Sequence, residues 1–118
     1  MTPFAQEVRR LRAARGATLT KMARDLELSP AYLSAFEHGH RGRPSSALVT
    51  QICTYFNIIW DEAEELERLA ALSDPKVKID TGGLSPAATE LANRLAAGIG
   101  ELPEAKLAAL LKTLGAPR

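Results

Sequence analysis

Apolar residues recur every three or four positions along most of the chain, the spacing that lines one side of an α-helix. Phe4, Val8 and Leu11 predict a first helix from about Pro3 to Arg15, with Gly16 as its stop. Thr18 is placed to accept a first-turn N–H and open a second helix, lined inside by Met22, Ala23 and Leu26. Ser29 opens a third, with Pro30 at the first helical position, where a missing N–H costs nothing, and Gly39 ends it. Ser45 or Ser46 starts a fourth helix, lined by Leu48, Val49, Ile52, Cys53 and Phe56 and closed at Asn57. Asp61 is the expected cap of a fifth, with Ala63, Leu66, Leu69 and Ala70 facing inward. Tyr55 and Trp60 are expected to close the core around these last two helices, and Cys53 to be a buried structural thiol.

The pattern changes at Ser73. Val77 and Ile79 alternate with Lys76, Lys78 and Asp80 between turn residues, which predicts a short strand at 76–80 seeking a partner edge, with a second copy as one candidate. Ser85 and Pro86 then begin a sixth helix with Ala88, Leu91, Ala92, Leu95 and Ile99 on one face. Pro103 begins a seventh with Leu107, Leu110, Leu111 and Leu114 apolar. The expected organisation is a domain over 1–72 and an extension over 73–118 that serves dimerisation or partner contact.

Charge alters this picture more than composition does. The 118 residues carry a net charge of only +1. Residues 1–44 hold eight Lys and Arg against four acids, whereas residues 45–118 hold seven against ten, five of them in DEAEELE at 61–67. A basic front on an acidic back is the electrostatic footprint of nucleic-acid binding by one part only, although solvated helix faces would also give such charges. The longest uncharged run, 44–60, is just short of a bilayer span and interrupted by polar residues, so a buried helix is expected and no membrane role. One cysteine leaves no internal disulfide, and the N-terminus has no signal-peptide core, so a cytoplasmic location is expected. His38 and His40 flank a glycine with no evident third ligand, so no metal site is expected. There is no Gly-rich phosphate loop, Ser/His/Asp set or carboxylate pair in a plausible cleft, so neither catalysis nor a cofactor is expected.

Helices two and three have the spacing of a helix-turn-helix, with Ala23 at the close approach, a turn at Glu27 and Leu28, and Leu33 and Phe36 as anchors. Arg12, Gly16, Thr18, Met22-Ala23, Leu28-Ser29, Leu33, Phe36-Glu37-His38-Gly39, Arg41, Arg43 and Pro44 follow in order, ahead of an apolar fourth helix. Over residues 4 to about 72 the chain resembles the Xre/Cro-like helix-turn-helix repressors. The resemblance implies an all-α fold: a five-helix, lambda-repressor-like domain, then a short extended segment and two C-terminal helices. It also implies that Arg12 pairs with Glu37 to brace the recognition helix, that Thr18 sits near the phosphate backbone, and that Arg41 and Arg43 lie along it.

Two departures shape the expected chemistry. Leu19 stands where the family often has a phosphate-touching Gln, and the recognition slots hold Pro30, Ala31, Tyr32, Ser34 and Ala35, none able to make a bidentate bond to guanine or adenine. The expectation is therefore a grip on phosphates by Lys21, Tyr32, His40, Arg41, Arg43 and the start of helix three at Ser29. Sequence preference would come from methyl contacts of Ala31 or Ala35, a hydroxyl bond from Ser34 or Tyr32, DNA shape and half-site spacing. The expected function is a homodimeric repressor on double-stranded DNA. The alternative is an antitoxin-type module whose 73–118 region captures a protein partner while DNA binding serves autoregulation.

Overall fold

The computed structural model describes residues 1–115, and among them seven α-helices: α1 (Pro3–Ala14), α2 (Leu19–Asp25), α3 (Pro30–Glu37), α4 (Ser46–Tyr55), α5 (Asp61–Ala71), α6 (Pro86–Gly98) and α7 (Glu104–Leu114). A 3-10 turn, Ile99–Glu101, follows α6. Five helix starts share one chemistry. Thr2, Thr18, Ser29, Ser45 and Ser85 keep extended backbone while their hydroxyl oxygens accept the N–H of the residue three further on, a bond worth about 1 kcal/mol each. Asp61 does not cap α5 as expected. Trp60 holds the cap position without a side-chain bond, and Asp61, Glu62 and Glu64 instead stabilise the first turn through the helix dipole.

The ends of α1 to α4 are equally uniform. Gly16, Glu27, Gly39 and Asn57 each turn into left-handed backbone, and the following N–H reaches back into the helix: Ala17 to Arg12, Leu28 to Ala23, His40 to Ala35 and Ile58 to Cys53. Gly39 is the demanding case, because its φ is +75° and an added Cβ would lie 2.8 Å from the Cα of Met1.

These stops aim the helices so that their apolar faces converge. Phe4, Val8 and Leu11 of α1 meet Met22 and Ala23 of α2, Leu33 and Phe36 of α3, Val49 and Ile52 of α4, and Leu66 and Ala70 of α5 in one core. Phe4 and Phe36 meet edge-to-face with centroids 5.6 Å apart, which ties α3 to α1. Ser73, where the composition changes, is itself buried and belongs to this assembly. Its hydroxyl oxygen accepts from Phe4 N–H at 2.9 Å and its O–H donates to the Leu69 carbonyl, joining the end of α5 to the start of α1.

Three further expectations about side chains or elements differ from the structure. Trp60 does not close the core but lies 80% exposed, because the left-handed Asn57 and Trp60 carry the chain outward and Ile58 enters the core instead. Cys53 is half-buried rather than enclosed, packed at the margin of the core. The strand expected at 76–80 is not formed, and no strand occurs among the described residues. Val77 and Ile79 alternate as a strand would, but a strand exists only as a ladder with another, and every regular neighbour here is helical. Two compact units result: Met1–Val77, which holds α1 to α5, and the residues from Lys78 onward, which hold α6 and α7.

Candidate nucleic-acid interface

The first unit presents α2, a tight turn and α3 as two packed helices. Leu33, Phe36 and Glu37 hold α3 down, so its opposite side faces out: Ser29, Pro30 and Ala31 are exposed, and Tyr32, Ser34 and Ala35 are half-buried. This is the surface whose side chains can offer methyl groups and hydroxyls but no paired donors. At the start of α3, Pro30 has no N–H and Ser29 takes the N–H of Tyr32 at 3.0 Å, which leaves Ala31 as the first-turn donor available to an anion. The helix terminus is therefore a weak anion site, and cationic side chains must supply the attraction.

Arg41 is held beside that terminus. Its guanidinium carbon lies 4.9 Å from the centroid of the Tyr32 ring, so the loop after α3 folds its arginine back over the first turn of that helix. Arg43 is exposed in the same loop, and Pro44, buried beside it, anchors the loop to the core. Thr18 accepts from Lys21 N–H at 3.1 Å, so its own O–H remains free to donate outward. His38 and His40 stack with centroids 6.4 Å apart, and the Nδ1 of His38 lies 2.7 Å from the Ser34 carbonyl oxygen. His40 is exposed beside Arg41.

Lys21 is the expected phosphate residue most engaged elsewhere. Its ammonium donates to Asp25 at 2.8 Å, and Tyr55 O–H donates to the same carboxylate oxygen at 3.1 Å. The Lys21 hydrogen bond and then that of Tyr55 hold the Asp25 carboxyl below its ordinary range, and Asp25 in turn raises Lys21. A phosphate would have to compete with this acid for Lys21.

Behind the surface, Arg12 Nε donates to Glu37 Oε1 at 3.1 Å and Arg12 Nη1 donates to the Ala17 carbonyl at 3.1 Å. Glu37 is 1% exposed, and its second oxygen has no hydrogen-bond partner among the described residues. The pair fixes the last turn of α3 to α1 and to the segment that leads into α2. Sequence reasoning missed a second arginine of this kind. Arg15 donates to the Phe56 carbonyl at 2.7 Å, capping the end of α4, while its guanidinium lies over the Phe56 ring. Its place beside Gly16 was the available signal, since a cation at a helix end is suited to a carbonyl.

Comparison with known proteins places this geometry. A helix-turn-helix domain family matches residues 3–69, which contain α2, α3, the loop after α3 and the Arg12–Glu37 pair. A Bacillus subtilis protein named as an uncharacterized HTH-type transcriptional regulator, RghRB, is 33% identical over 61 residues, which are 52% of this chain and 44% of that protein. The chain thus spans less than half the length of that relative. No solved structure matches the chain. Among the described residues, no helix is long and apolar enough to cross a membrane.

Proposed function

The chain belongs to the helix-turn-helix domain family, and from that premise we propose that it is a transcriptional regulator that binds double-stranded DNA as a homodimeric repressor. The observation that carries the reading is the stack of Arg41 on Tyr32, which fixes a cation at the open end of α3 before any ligand arrives. Arg41, Arg43, Thr18 and the Ala31 N–H grip phosphates on either side of α3. Pro30, Ala31, Ser34 and Ala35 lie against base edges and contribute shape and methyl contact. Each absent bidentate pair forgoes about 1–3 kcal/mol of discrimination, so specificity leans on DNA shape and on the spacing of two half-sites.

Gel shifts with fragments from the promoter region of the chain's own gene test this. Arg41→Ala/Arg43→Ala is expected to abolish retention at moderate salt, and unchanged retention counts against the proposal. The antitoxin-type reading draws support from one feature: Val77 and Ile79, 73% and 58% exposed, sit on extended backbone without a ladder partner. Its test is a stoichiometric second protein co-purifying with the wild type and lost on Val77→Asp/Ile79→Asp.

A further inference from the structure

The second unit is made of helices that one chain leaves only partly covered, with Ala88, Ala92, Leu95 and Leu107 half-buried. Neither α6 nor α7 contains a buried residue, although each carries an apolar stripe. Leu91 and Ile99 are 51% and 53% exposed, and Leu111 and Leu114 are 68% and 75% exposed. Isolated helices of 13 and 11 residues are marginal in water, because nucleation is costly and only a packed face repays it. Their stability must come from whatever covers that face.

We infer that the covering surface is the same face of a second copy, and that α6 and α7 complete their folding only as two chains associate. The inference rests on the two-copy reading above and gives it a location. Three observations favour a second copy. From Ile79 to Leu114, seven large apolar side chains stand 38–75% exposed. Together they present on the order of 800 Å², one partner's share of a standard stable interface. The stripe of α6 is bordered by Thr89, Ala87 and Ala96, small residues that let another helix come close. Charge also permits self-association. Residues 78–118 hold five basic and four acidic side chains, and Glu90 and Arg94 neutralise each other at 2.7 Å within α6. The face asks for no oppositely charged partner, and a two-fold axis satisfies it with itself. An acidic helix such as α5, by contrast, would repel its copy.

Sedimentation equilibrium and far-UV circular dichroism on one dilution series of the full chain test the coupling. The expected mass is twice 12.7 kDa at high concentration. Dilution is expected to halve it and to remove about one third of the helical signal, the share held by α6 and α7. Leu91→Glu and Leu111→Glu replace side chains that a single chain leaves open, so neither should disturb the first unit. Both are expected to be monomeric at every concentration, with the reduced helical signal and an unchanged melt of α1 to α5. Ile59→Glu, an equally exposed site in the first unit, should leave the mass doubled. A monomeric wild type with full helicity, variants that keep the doubled mass, or a different protein seated on this face each overturns the inference. The DNA reading fails separately, through the Arg41→Ala/Arg43→Ala gel shift.

Discussion

Replacing Arg12 by Ala isolates the contact that holds α3 in place. The substitution removes the 3.1 Å bond to Glu37 and the 3.1 Å bond to the Ala17 carbonyl together. It leaves a carboxylate that is 1% exposed, one of whose oxygens already has no hydrogen-bond partner among the described residues, with no cation beside it. Breaking a buried pair from one side costs about 3–5 kcal/mol. Arg12 itself is 22% exposed, so water can approach from its side and the lower end, about 3 kcal/mol, is expected. In a domain of this size that is a fall in Tm of roughly 12–24 °C. Glu37→Gln keeps the shape and one acceptor while removing the charge, and about 1 kcal/mol is expected for the weaker bond. The assay is urea unfolding of the four members of the cycle, followed by tryptophan fluorescence and circular dichroism. Arg12→Ala/Glu37→Gln should be more stable than Arg12→Ala alone, because the second change removes the stranded charge. A loss under about 1 kcal/mol for Arg12→Ala, or additive single effects, would refute the reasoning by showing that the pair is screened by solvent.

Three further outcomes follow from the same geometry. Gly39→Ala forces a Cβ into left-handed backbone and against Met1, and a loss of about 1–2 kcal/mol is expected in thermal unfolding. Asp25 has a lowered folded pKa, so its contribution is present above the ordinary carboxylate range and lost as pH falls through the folded value. The stability gap between wild type and Asp25→Asn, measured from pH 7 down to about pH 3, should therefore close toward the acid end. Burial, and then Glu67, push the Cys53 thiol up, so alkylation at neutral pH should be slower than for a free thiol in the unfolded chain.

Local chemistry was legible, and distant partnerships were not, apart from the Arg12–Glu37 pair that the family resemblance implied. Thr18, Ser29, Ser45 and Ser85 could be read as helix starts because a hydroxyl three residues before a free N–H acts within a single turn. The stripes of α1 to α5 could be read because one periodicity serves both the helix and its burial. Ser73 could not, since its partner Phe4 lies 69 residues away and nothing local marks a latch. The same holds for Tyr55 on Asp25 and Arg15 on the Phe56 carbonyl, where the partners come from different helices. Trp60 misled because a large aromatic is usually core, whereas two left-handed residues here turn it to solvent. At the surface beside α3, the basic loop was visible as composition, but the fold of Arg41 onto Tyr32 required the geometry of Gly39 and the loop that follows.

The central claim is that arginines beside α3 hold DNA by its phosphates while the helix contributes few polar contacts. Fluorescence-anisotropy titrations of wild type and Arg41→Ala/Arg43→Ala on one duplex, across a range of salt concentrations, test it most directly. Each lost phosphate contact should reduce the slope of log K against log salt by about 0.9, so the double variant is expected to be shallower by about 1.8. Parallel lines for the two proteins would contradict the account.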